Sequence, residues 1–287
     1  MRGFIFSIVT ISFMLLLMML ASAAANEYSE MERARAKPEP IVYAAAILDN
    51  TGKQFADTVL PRASFATRND SLGITITDSV PRPDASNDLS SMKWFVENQL
   101  SAWVHAAISV NITNVTGGEL ELRMLDSYIY SNSQNGTHEV MFRPVLNQSG
   151  TGSARYNITL TVDDYRGTVS SFAWDPSGDI NVTLTYNDRN GTETESGMLL
   201  STATNDFSIK YGVDESMQLD LRVGRLEYKG DSWDGALFMN VSEGEPVGFL
   251  VYAGLPPPPA NASNRIVFPI QMTYSQDGFY KSAYASR

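Results

Sequence analysis

The 287-residue chain contains no cysteine. Disulfides, thiolate metal sites, iron–sulfur clusters and cysteine nucleophiles are thereby excluded. Histidine is almost as scarce: His105 and His138 are the only two, and they form no H-E-x-x-H motif. Neither a G-x-S-x-G elbow nor a G-x-x-x-x-G-K-[ST] phosphate loop occurs. Positive charge is also in short supply, with 21 Lys and Arg against 32 Asp and Glu, a formal net charge of −11. That balance leaves no basic surface to replace phosphate counterions, so nucleic acid is not an expected partner. What remains is 43% hydrophobic and 10% aromatic, enough apolar side chain for a packed core.

One long apolar run is present. Phe4 to Ala25 holds no Asp, Glu, Lys, Arg or Pro. Its roughly 22 residues would make a helix of about 33 Å, long enough to cross a bilayer's hydrocarbon core. Arg2 is the only charge before the run, whereas Glu27, Glu30 and Glu32 follow it. The positive-inside rule then places the bulk of the chain outside the cell. Arg2-Gly3 followed by Phe4 resembles the class III signal peptides of type IV pilin-like proteins. The resemblance is confined to this N-terminal stretch. It implies cleavage between Gly3 and Phe4, with the apolar helix retained and packed among other pilin-like subunits in a filament core. Ile8 occupies the fifth mature position, where many bacterial pilins carry Glu and archaeal members often do not. Two other readings stay open: an uncleaved anchor, and a secretory signal cut at Ala21-Ser22-Ala23 or Ala23-Ala24-Ala25.

Ten of the eighteen asparagines open an Asn-X-Ser/Thr sequon: Asn69, Asn111, Asn114, Asn135, Asn147, Asn157, Asn181, Asn190, Asn240 and Asn261. A sequon acceptor implies a surface position in an exported protein. Strand alternation alone produces part of the pattern. In Asn157-Ile-Thr-Leu-Thr-Val162 the apolar residues share one face and the polar ones the other. Alternation accounts for the Thr better than for the Asn, which strands disfavour. Abundant sequons, absent cysteine and the pilin-like leader together predict an archaeal cell-surface glycoprotein.

Glu27 to Lys37 continues with strong helix formers and i,i+3 pairs at Glu30–Arg33 and Glu32–Arg35, until Pro38 and Pro40 stop it. Helical spacing resumes through Ile41, Ala44, Leu48, Phe55 and Val59, with Gly52 as an expected interruption. From 62 to 85 the chain reads as loop around one short strand, 73–77. Asp88 is the expected cap of a helix from Leu89 to Trp103, with Met92, Phe95, Val96, Leu100 and Trp103 as its core face. Beyond Val104 the period switches to two. Candidate strands are 104–113, 119–131, 137–145, 155–163, 167–174, 179–186, 206–211, 217–228, 235–242, 247–253 and 265–274, with hairpin turns at Asn135-Gly136 and Asn190-Gly191. Pro256 to Pro259 read as an extended spacer. The expected architecture is therefore mainly β: leader and transmembrane helix (1–25), helical stalk (26–40), a mixed helical and loop segment (41–103) and an antiparallel β-sandwich ectodomain (104–287).

Acidic pairs at Asp163-Asp164, Asp175/Asp179 and Asp231/Asp234 fall near expected turns, where turn chemistry is the default and calcium the alternative. Trp94 and Trp103 fit the helix core; Trp174 and Trp233, at strand ends beside Asp175 and Asp234, are expected partly exposed, with core-edge packing the default and a sugar platform the alternative. No residue is expected to catalyse, and no cofactor or metal site is specified. The sequence predicts a structural subunit or minor pilin of an extracellular filament, partnered by the membrane and by other subunits. A membrane-anchored adhesin or envelope protein with a cell-surface or carbohydrate ligand is the second reading, and a secreted hydrolase with acidic catalytic residues the third.

Overall fold

The computed structural model describes residues 40–59, 62–68, 71–125, 127–145, 155–162, 166–211, 215–242, 246–255, 265–276 and 278–286. The expected transmembrane helix, the expected stalk up to residue 39, the Gly3/Phe4 junction, Asn69, Asn147, Asn261, the Asp163-Asp164 pair and the expected proline spacer lie outside these residues. The chain divides into two compact units, 1–47 and 48–287. Of the first, only the opening of helix α1 (Pro40–Val59) is described, with Val42 and Tyr43 exposed.

In the second unit α1 buries Leu48, Thr51, Gly52, Phe55 and Ala56, one stripe at i, i+3/i+4 spacing. Gly52 does not interrupt the helix. A Cβ there would lie 3.0 Å from Met272 Cε and 3.1 Å from Ala285 Cα, so glycine is what lets α1 sit close on strands β15 (Ile266–Gln276) and β16 (Phe279–Ser286).

The strands form two sheets. Four of the five pairings in the smaller sheet's order β1-β2-β14-β7-β9-β10 are antiparallel, and β7–β9 is parallel. These strands are β1 (Arg62–Arg68), β2 (Ser71–Val80), β7 (Arg155–Val162), β9 (Ile180–Asp188), β10 (Gly191–Leu199) and β14 (Val247–Leu255). The larger sheet runs β16-β15-β4-β5-β6-β13-β12-β11-β8, with β3 (Ala107–Asn111) also on β15. Its remaining strands are β4 (Glu119–Met124), β5 (Tyr128–Ser133), β6 (Glu139–Pro144), β8 (Arg166–Val169), β11 (Thr204–Tyr211), β12 (Met217–Tyr228) and β13 (Asp231–Val241). Aromatic side chains join the two inner faces. The Phe142 and Tyr156 rings meet edge-on at 6.2 Å, Tyr130 and Phe249 lie 6.4 Å apart, and the Tyr156 hydroxyl donates to Gly235 O at 2.7 Å.

The expected purely antiparallel sandwich is thus corrected to a mixed one. After β7 the chain leaves the six-stranded sheet, adds β8 to the edge of the other, and returns as β9 running the same way as β7. The 62–85 loop is corrected to the β1–β2 hairpin, whose Leu72, Ile74, Ile76 and Val80 enter the core. Strands β1 and β2, from the 41–103 segment, share a sheet with β14 and β7 from the 104–287 segment.

Helix α2 also differs from expectation. It runs as α-helix over Ser86–Trp94, as π-helix over Phe95–Leu100 and as α-helix again over Ser101–Val104. Ala85, not Asp88, takes the N-cap position, and Asp88 lies in the first turn. Only Leu89 and Val96 of its side chains are fully buried. Its inner face instead pairs with the free edge of β3. The Ile108 amide donates to Ser101 Oγ at 3.0 Å, the Val110 amide donates to Glu97 Oε1 at 2.8 Å, and Lys93 donates to both Glu97 and Val110 O. Four helical residues climb about 6.0 Å and two strand residues about 6.4–6.8 Å, so Glu97 and Ser101 keep step with Val110 and Ile108, and Lys93 reaches the Val110 carbonyl from one turn further back. In an α-helix positions four apart drift by about 40° per step. The i→i+5 bonding of the π stretch offsets that drift and keeps the row in line. Glu97→Ala is expected to cost about 1–3 kcal/mol by stranding the Val110 amide; urea denaturation would measure it, and an unchanged midpoint would refute the pairing.

Candidate functional site

The described sequon asparagines lie on the outside of the sheets or in turns. Asn111, Asn114, Asn135, Asn157, Asn181 and Asn190 are exposed, and Asn240 is half-buried. Asn157 and Asn181 stand on the neighbouring strands β7 and β9, while Tyr156, Ile158, Val182 and Leu184 beside them turn inward. Asn240, opposite Asp220 on β12, lies on a shallow depression with Asp206 and Arg222, which pair at 2.7 Å.

Asn111 and Asn114 also border a deeper feature. Strand β15 pairs with β4 only at Ile266 and Val267, and with β3 from Gln271 to Ser275. Between them Pro269, which has no amide hydrogen to donate, sits where the two pairings part. The fork opens a groove of about 630 Å³ on the outer face. Glu119, Glu121 and Arg123 line one side, with Arg123 Nε 3.4 Å from Glu121 Oε1. Val267, Pro269, Gln271 and Tyr284 line the other. Gln271 is held by donation to Ser282 Oγ at 3.1 Å. The turn between β3 and β4, helix α3 (Thr113–Thr116), closes one end, and the Thr113 amide donates to Asn111 Oδ1 at 3.0 Å.

A polar cluster between the sheets went unforeseen. Tyr130 donates to Asp78 Oδ2 at 2.6 Å, Asn132 Nδ2 donates to the same oxygen at 2.8 Å, and the Ser79 amide donates to Asp78 Oδ1 at 2.9 Å. Burial pushes the Asp78 carboxyl above its ordinary range, against the lowering effect of these bonds and of the Arg82 charge. Burial, with the Asp78 carboxylate next in effect, likewise pushes the Tyr130 hydroxyl well above its ordinary value. The signal was Asn132 itself, polar at the inward position after Tyr128 and Tyr130. The Asp175 and Asp179 carboxylates serve separate partners: Asp175 accepts from the Ser177 amide and hydroxyl, Asp179 from those of Ser201. The bonds from Ser177 hold Asp175 below the ordinary range. For Asp179 burial pushes upward, and the Ser201 bonds outweigh it. No group of three His, Asp or Glu side chains placed to hold a metal occurs among the described residues.

Three of the four tryptophans depart from their expected places, and Trp174 keeps its core-edge position. Trp233 is buried, with the Arg143 guanidinium 4.6 Å from its ring, and half-buried Trp174 packs edge-on against Phe172 at 5.2 Å. Trp94 and Trp103 are 58% and 75% exposed and Phe95 is 43% exposed, so the expected core face of α2 is in part its solvent face. The cause is the β3 edge, which claims the Lys93–Glu97–Ser101 row and turns the aromatics outward. Among the described residues no helix is long and apolar enough to cross a membrane. No protein-family model matches the chain, and neither a characterised protein nor a solved structure is significantly similar to it.

Two outcomes follow from this geometry. The folded-state pKa of Asp78 is raised, so its contribution to stability is complete below the unfolded value of about 3.9 and is lost as pH rises through the folded value. The stability difference between Asp78→Asn and wild type should therefore move in the variant's favour from pH 3 to pH 7; a difference constant with pH would contradict it. Trp103→Ser should change stability by no more than about 0.5 kcal/mol, and a large loss in thermal unfolding would return Trp103 to the core.

Proposed function

We propose that the chain is a membrane-tethered glycoprotein subunit of the cell surface, a minor pilin of an archaeal type IV pilus-like filament. The observation that carries the reading is the placement of the described sequons on the outer faces and turns, while the inner faces hold the apolar core. Sugars there would cost the fold nothing and would keep the sandwich hydrated. The pilin assignment rests on Arg2-Gly3-Phe4 and the apolar run behind it. In this reading the N-terminal helix inserts laterally among neighbouring helices, and the sandwich is carried outside. Its work is structural.

The exposed aromatics of α2 favour a second reading, an anchored adhesin or envelope protein that meets a partner through that face. Detergent extraction separates the two: a filament subunit sediments with polymer, an adhesin stays monomeric.

Intact-mass and N-terminal peptide analysis of protein from its own membranes tests the main reading. A mature chain beginning at Phe4, with hexose-bearing sequon peptides, is the expected result. A start at Ala24 or Asn26 would make it a secreted protein, an intact Met1 a plain anchored one, and bare asparagines throughout would remove the glycoprotein.

A further inference from the structure

The groove between β4 and β15 is bordered by two sequons, and we propose that it seats the chain's own glycan, carried on Asn111. This rests on the glycoprotein reading and deepens it. Attachment joins Asn111 Nδ2 to the anomeric carbon of the first sugar. The bond from that carbon to a lipid-linked phosphate donor breaks, its electron pair leaves with the phosphate, and Nδ2 gives up one proton. The sugar chain then begins on the groove's own border.

The walls suit carbohydrate. Tyr284, 53% exposed, offers an aromatic face, and Val267 and Pro269 offer apolar surface for the C–H side of a sugar ring. Glu121, Arg123 and Gln271 present planar donors and acceptors for hydroxyls. The lining is more polar than apolar, which suits a hydroxyl-rich ligand, and about 630 Å³ falls within the usual size range of ligand sites. Two glutamates against one arginine favour a neutral glycan over an acidic one. Tethering at the border supplies an effective concentration in the millimolar range, so contacts too weak to retain a free sugar suffice.

Asn111 is the better placed of the two sequons. Its Oδ1 is fixed by the Thr113 amide at 3.0 Å, which orients the exposed carboxamide at the end of β3. Asn114 lies in α3, where its sequon threonine, Thr116, is tied by its hydroxyl to Ile112 O at 3.1 Å and Thr113 O at 3.2 Å.

Tyrosine nitration by tetranitromethane, with peptide mass analysis, tests the seat on native glycoprotein. Thr113→Ala removes the Asn111 sequon but keeps its backbone bond, Thr116→Ala removes the Asn114 sequon, and Thr113→Ser preserves the first. Tyr280, 65% exposed and outside the groove, is the internal reference. Expected are an occupied Asn111 and Tyr284 nitration several-fold faster in Thr113→Ala, with Tyr280 unchanged and with Thr113→Ser and Thr116→Ala behaving as native. Equal Tyr284 rates with Asn111 occupied would overturn the seat and leave glycosylation standing. A bare Asn111 would overturn both at this position, and acceleration in Thr116→Ala alone would overturn the choice of Asn111.

Discussion

Tyr156 stands fully buried between the sheets, its ring edge against Phe142 and its hydroxyl on the Gly235 carbonyl. That contact fixes which face of β7 looks inward, and with period two it fixes every other residue of the strand. Because β7 pairs with β14 on one side and β9 on the other, the same choice passes across the sheet. The outward row that includes Asn157 and Asn181 follows from it, as does the inward row of Ile158, Leu160, Val182 and Leu184. A shift of one residue would bury the sequon asparagines and expose the core. The proposed display of sugars is therefore a by-product of the packing that holds the sheets together.

Edges are managed differently from interiors. The free side of β3 is occupied by Lys93, Glu97 and Ser101 of α2, side chains doing for a strand what another strand would do. That arrangement explains both the π stretch and the exposed tryptophans, since a helix turned to serve β3 cannot also bury its aromatic positions. Asp78 offers the complementary case at an inner face. There a carboxyl is held by a tyrosine, an asparagine and a backbone amide, and the asparagine in turn donates to Ser79 O and accepts from Gln134.

Much of this was legible in the sequence, and what was not follows a pattern. Interior strands such as β7, β12 and β14 bury alternate residues and were visible as alternation. The strands that escaped notice, β1, β10 and β16, are all sheet edges. In β10, Gly191-Thr-Glu-Thr-Glu-Ser-Gly-Met-Leu199, only the last residue is buried, so no period exists to be read. The groove was hidden for the same reason: it needs β16 and the fork of β3 and β4 on β15, a relation between distant segments. The helix at 86–104 was foreseen but its inner face was not, because polar Lys93, Glu97 and Ser101 give no hydrophobic signal. The expected anchor and stalk and the pilin resemblance fall on residues 1–39, outside those described.

Strand β14 sits between β2 and β7, and within the six-stranded sheet nothing else joins the β1–β2 hairpin to the β7–β9–β10 group. Its neighbours in sequence, β13 and β15, belong to the opposite sheet. A chain threaded outward from its N-terminus thus presents two incomplete half-sheets until residues 247–255 have emerged. In an exported chain, as proposed above, closure would be a late event, and Asn157 and Asn181 would cross the membrane before the strand that completes their sheet.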